Sequence, residues 1–87
     1  MEQFRVKQTD MSDEMKEQVF NGFKEALEKF SNLKDICTYL KVEFDKKYSP
    51  TWHCVAGKDF ASHVTYDAGT YIQFEYTKHT IVLFKCG

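Results

Sequence analysis

The chain has little proline and little glycine: Pro50 stands alone, and only four glycines occur in 87 residues. That composition excludes collagen-like and low-complexity classes. Long apolar runs are missing too. Ile81-Val82-Leu83-Phe84 is the longest, far short of the roughly 20 residues of a membrane-spanning helix. Met1-Glu2-Gln3-Phe4-Arg5 lacks the apolar centre of a signal peptide, so the chain is read as cytosolic. Neither charge dominates. Lys and Arg total 12 against 13 Asp and Glu, so no net field draws in nucleic acid or an anionic membrane.

Cysteine is scarce and odd in number. Cys37, Cys54 and Cys86 show no Cys-x-x-Cys spacing, which argues for reduced thiols rather than a disulfide framework. Cys86 is the one expected to be exposed and oxidisable. Assembled catalytic patterns are absent. His53 and Cys54 are neighbours on a strand, so their side chains point to opposite faces and form no Cys–His pair. His63 and His79 have no companions at metal-ligand spacing, and no Gly-rich phosphate loop occurs. No enzyme activity, metal or cofactor is expected.

What remains is an ordinary globular composition, 43% hydrophobic and 29% charged. It makes a single domain, residues 1–87, small enough to gain stability by burying surface against a partner. Pro50 divides it. Before Pro50, Met15, Val19, Phe23, Ala26, Leu27 and Phe30 recur at helical spacing, predicting a helix of about five turns. Ser12 is its N-cap, with Asp13 and Glu14 favoured in the first turn. Ser31-Asn32 breaks it, and Asn32 caps a second helix whose stripe is Leu33, Ile36, Cys37, Leu40, Phe44 and Tyr48. Lys46 and Lys47 suit that helix's negative end, Pro50 stops it, and Ser49 is expected to be extended.

Strands are predicted at Phe4–Lys7, Thr51–Ala56, Phe60–Tyr66, Tyr71–Tyr76 and His79–Cys86. Gly57 and Gly69 are available for positive φ in the intervening turns. Connections this short make sequential strands antiparallel where they pair. The expected fold is α+β, two helices packed on one face of an antiparallel five-stranded sheet. With Ile72, Phe74, Tyr76, Ile81 and Leu83 facing the helices, Tyr71, Gln73, Glu75, Thr80, Val82 and Phe84 face away. That far side is too apolar to stand in water and needs a cover. Either a second protomer covers all of it, or a protomer and a ligand share it.

Glu43–Val55, with Pro50-Thr51-Trp52-His53-Cys54 at its centre, closely resembles the signature of the small dynein light chain family. Asp10-Met11-Ser12, Ala26-Leu27-Glu28-Lys29 and Leu83-Phe84-Lys85 extend the likeness over Val6–Gly87. The resemblance implies a strand-swapped homodimer in which Phe60–Tyr66 crosses into the partner's sheet, with His53, Cys54, Phe60, Ser62 and Val64 at the interface. It further implies two parallel grooves that take an extended peptide by strand addition. Carried over by position, the groove comprises Lys7, Lys58, Asp59, Phe60, Ala61, Ser62, His63, Val64, Thr65, Tyr66, Tyr71, Gln73, Glu75, Thr80 and Val82. Lys34 and Asp35 at the start of the partner's second helix complete it, where free N–H groups favour an acceptor such as the Gln of a Thr-Gln-Thr-like motif.

The sequence departs from the family in that wall. Ala61 and Thr77 stand where Gly is usual, His63, Gln73 and Glu75 where Tyr is usual, and Leu33 where Glu is usual. His63 reads equally as a solvated edge residue or a ligand contact, and Glu75 seeks Lys78 or a basic ligand residue. By resemblance, the function is that of a non-catalytic, cytoplasmic, cytoskeleton-associated light chain of dynein motors. It would act as a homodimeric hub for dynein intermediate chain and other motif-containing proteins in microtubule-based transport. The alternative is a dedicated subunit of a cytoplasmic or axonemal dynein with one fixed partner. No nucleic acid or membrane partner is expected.

Overall fold

The computed structural model describes residues 4–58 and 64–86. Six elements follow one another: β1 Phe4–Thr9, α1 Asp13–Lys29, α2 Leu33–Tyr48, β2 Trp52–Gly57, β3 Ile72–Tyr76 and β4 His79–Lys85. Both helices begin where side-chain chemistry sets them. The Ser12 hydroxyl accepts the Met15 N–H at 3.2 Å. Asn32 Oδ1 accepts the Asp35 N–H at 2.9 Å, while Asn32 Nδ2 donates to the Asp35 carboxylate at 3.0 Å. Each cap thus satisfies an N–H that the first helical turn leaves unpaired. α2 stops at Tyr48, as Pro50 requires.

Ser49 corrects the sequence expectation. Its ψ of 151° is the extended value that a following proline favours, but its φ is +71°. The chain reverses here, at the C-cap, to carry the helix into the sheet, and that reversal sets φ.

The described strands form an antiparallel sheet of order β1-β3-β4-β2. Four strands are seen, not the expected five. Residues 60–63 of the missing one lie outside the described residues, and Val64, Thr65 and Tyr66 lie in no strand. A strand is defined by a paired neighbour, and residues 64–66 have none among the described strands. Boundaries elsewhere shift by a residue or two, and Gly57 closes β2 while Gly69 takes φ +81° in the turn before β3.

The core lies between helices and sheet. Val19, Phe23 and Ala26 of α1 and Ile36, Leu40 and Phe44 of α2 meet Trp52, Ile72, Phe74, Ile81 and Leu83. All but Trp52, whose facing the sequence left open, are residues that periodicity assigned to the inner faces. Phe4 ties β1 into this layer, stacked on Phe20 at 5.0 Å and edge-on to Phe23 at 5.5 Å. Gly22 lets the helices approach: a Cβ there would sit 3.1 Å from Leu40 Cδ2. The Asp10 carboxylate accepts the Gly69 N–H at 2.8 Å and the Tyr71 N–H at 3.0 Å, so the Asp10-Met11-Ser12 stretch locks the start of β3 as well as starting α1.

Candidate functional site

The two edges of the sheet differ. β1 carries Arg5 and Lys7 and has an irregular register between Val6 and Gln8, devices that discourage pairing with another strand. β2, Trp-His-Cys-Val-Ala-Gly, carries neither Lys nor Pro nor a break in register, and it pairs on one side with β4. Its other side is open among the described strands. Alternation places Trp52, Cys54 and Ala56 toward the helices and His53 and Val55 on the far side. Trp52 is fully buried, edge-on to Phe44 at 4.9 Å, whereas His53 and Val55 are exposed, Val55 at 47%.

A groove of about 610 Å³ follows this open edge. Its lining takes Leu33, Lys34, Cys37, Thr38 and Lys41 from α2 and every residue from Trp52 to Ala56. Consecutive strand residues point to alternate faces, so a groove touching all five runs along the strand's backbone edge. One wall is therefore strand backbone, and the other is the first three turns of α2. The Asp35 N–H is already taken by Asn32, so it is not among the free N–H groups of this helix start. Cys37 and Cys54 both line this groove. The neighbouring Cys54 lowers the Cys37 pKa against the opposing effect of burial, and Cys37 together with burial raises that of Cys54. The sequence read both as reduced thiols, with Cys54 at the dimer interface that the resemblance implies.

The far face of the sheet carries a second cluster, Tyr71, Val82 and Phe84. Tyr66 packs against it, its ring 4.6 Å from that of Tyr71. Val82 is fully buried and Thr80 is 6% exposed within the single chain. The expectation that a partner or ligand alone covers this face is corrected accordingly. The chain contributes Tyr66 itself, because the segment after residue 63 lies back on the sheet. His53 extends the aromatic row, stacked on Phe84 at 5.2 Å. Gln73 accepts the Tyr71 hydroxyl at 3.2 Å. Glu75 is paired with Lys7 across β1 at 3.7 Å, not with Lys78, because β1 lies beside β3.

The sequence-derived site residues thus fall into two groups. Lys34, His53 and Cys54 share the edge groove, with Asp35 on the adjoining turn of α2. Lys7, Gln73, Glu75, Thr80 and Val82 lie on β1, β3 and β4, Tyr71 just before β3, and Tyr66 packs on Tyr71, while Val64 and Thr65 are exposed. Lys58 is exposed just past β2, and Asp59, Phe60, Ala61, Ser62 and His63 lie outside the described residues. His53, which lines the groove and stacks on Phe84, lies between them. Cys37 was missed as a site residue. Its helical spacing reads as core, and no sequence pattern pairs it with Cys54.

Among the described residues no three His, Cys, Asp or Glu side chains are gathered to hold a metal. No described helix is long and apolar enough to cross a membrane.

The sequence model of the dynein light chain type 1 family matches residues 3–86. The chain belongs to the dynein light chain family. Solved structures agree in fold. The dynein light chain-like domain of the Fasciola hepatica calcium-binding protein FhCaBP2, as a mercury derivative, is 25% identical with a TM-score of 0.82, covering 97% of this chain and 92% of that one. A native crystal form of the same domain gives 24% identity and a TM-score of 0.84, covering 99% and 93%. The dynein light chain-like domain of CsTAL3 is 14% identical with a TM-score of 0.73, over 94% and 90%. In this dynein light chain, the segment that carries the family's signature builds both the end of α2 and the open strand β2.

Proposed function

We propose that this dynein light chain is a non-catalytic homodimeric adaptor that binds short linear peptide motifs by strand addition. It would serve as a light chain of dynein motors in the cytoplasm and take dynein intermediate chain among its partners. The observation that carries the reading is the unprotected edge of β2. An open, uncharged edge strand invites another strand, and natural proteins cover or blunt such edges. β1 is blunted and β2 is not, so β2 is the edge kept for pairing. The groove between that edge and α2 has room for side chains of an added strand, with Lys34 and Thr38 as polar contacts.

Two copies would present two parallel grooves related by a two-fold axis, so two weak sites could hold a paired client through avidity. A dedicated motor subunit with one fixed partner would use the same edge. A peptide array probed with the purified chain separates the two: unrelated hits in number support the adaptor, and a lone hit supports the dedicated subunit. Sedimentation velocity tests the shared premise. A chain that stays monomeric at tens of micromolar overturns both.

A further inference from the structure

We propose that the groove between β2 and α2 selects an extended segment of a partner chain that carries acidic residues at alternate positions. This selectivity rests on the strand-addition reading of the edge. The groove's lining holds Lys34 and Lys41 and no Asp or Glu. Lys34 is exposed and forms no ion pair among the described residues. Lys41 gives one bond to Asp45 and keeps its side chain 40% exposed. Two α2 carboxylates flank these lysines, and both are engaged. Asp35 takes the Asn32 amide at 3.0 Å, and Asp45 is divided between the Trp52 N–H and Lys41. The groove therefore presents positive charge beside an open backbone edge.

Helical spacing sorts the α2 wall into two rows. Leu33 and Cys37, four apart, are partly or fully buried and form the apolar inner row. Lys34, Thr38 and Lys41, at spacings of four and three, form the polar outer row. The two lysines stand seven residues apart on α2, about 10 Å along its axis. On an added strand, residues facing α2 recur about every 6.7 Å, at i and i+2. Two acids at those positions both come within reach of a flexible lysine side chain. An uncharged strand would take water from Lys34 and Lys41 and give no partner in return, and a basic strand would repel them. Only an acidic strand matches both the backbone edge and the charge.

Calorimetric titration of the full chain with blocked peptides of valine and threonine tests this. The peptides differ at two positions only. One carries two aspartates separated by a single residue, a second has asparagines there, a third has lysines there, and a fourth has its two aspartates side by side. The first should bind about fivefold more tightly than the second, and most of that gain should vanish between about 50 mM and about 500 mM salt. The fourth should gain about half as much in free energy, because one of its acids faces away from α2. Lys34→Glu puts an acid in the first turn of α2, where the helix dipole favours it, so circular dichroism should show an intact fold. That variant should prefer the lysine peptide to the aspartate peptide. Equal binding of the aspartate and asparagine peptides, or an unchanged preference in Lys34→Glu, overturns the acidic selectivity and leaves strand addition standing. A fourth peptide as tight as the first overturns the alternation. Failure of every peptide to bind overturns strand addition at this edge and the selectivity with it.

Discussion

The Asp45 carboxylate, near the end of α2, accepts the backbone N–H of Trp52, the first residue of β2, at 2.8 Å. Its second oxygen takes the Lys41 ammonium one turn back. One side chain thus clamps the helix-to-strand turn on either side of Pro50 and sets where the open edge begins. The Lys41 bond is the main cause holding the Asp45 pKa below its ordinary value; the Trp52 N–H adds to it, and burial opposes it. A carboxyl whose folded pKa is depressed contributes stability that is complete above its unfolded pKa of about 3.9 and is lost as pH falls through the folded value. Asp45→Ala should therefore cost about 1–2 kcal/mol at neutral pH. Asp45→Asn keeps an acceptor for Trp52, so it should cost less, and its stability should fall less steeply in acid. Urea midpoints measured from pH 7 down to about 3 check both.

Thr77 opens the β3–β4 turn with φ +55°, a conformation that a β-branched residue resists. Two-residue hairpin turns with positive φ at the first central position favour glycine there. Thr77→Gly should stabilise the chain by about 1 kcal/mol, whereas Thr77→Ala, which keeps a Cβ, should gain little. Thermal denaturation of the three proteins decides it, and an equal gain from Ala would show that the φ value is not the cause.

His53 is exposed in the single chain and stacked on Phe84, beside the open edge. Under the proposed dimer it enters a desolvated two-fold seam, where a fixed cation has no partner. His53→Lys should leave the fold intact and weaken dimerisation by tenfold or more, on the order of 1.4 kcal/mol. Sedimentation equilibrium with circular dichroism on the same samples reads both. A lysine variant that dimerises as tightly as the parent would remove His53 from the seam.

Gln73 occupies the Tyr71 hydroxyl, and Glu75 holds Lys7, at positions where an aromatic pair is usual in the family. The Glu75–Lys7 pair is half in water, so Glu75→Gln should change stability by less than about 1 kcal/mol. Ligand binding is the more sensitive readout. Aromatic rings dominate contact energies at docking sites, so Thr-Gln-Thr peptides should bind weakly, and Gln73→Tyr with Glu75→Tyr should tighten binding severalfold. Titration calorimetry giving one affinity for both proteins would place these residues outside the contact surface.

The sequence alone determined everything whose signal lies within a few residues. Ser12 and Asn32 start the helices, Pro50 ends the second, and alternation from Ile72 to Phe84 sorts the two faces of the sheet. Each is a local hydrogen bond, a fixed dihedral or a repeat, so a few neighbouring residues carry it. Most of the inner core was legible for the same reason, as was the importance of the stretch around Trp52. Tertiary structure decided which strands are neighbours, and from that order the rest follows. β1 lies beside β3, so Glu75 meets Lys7 rather than Lys78. β2 lies outermost, so its edge and the groove beside α2 are open. α2 packs over β2, and Cys37 and Cys54 line one groove though neither residue's surroundings in sequence predict the other. Tyr66 covers Tyr71 because the chain folds back on its own sheet. Contacts between segments far apart in sequence depend on topology, and topology is fixed by the packing of the whole chain.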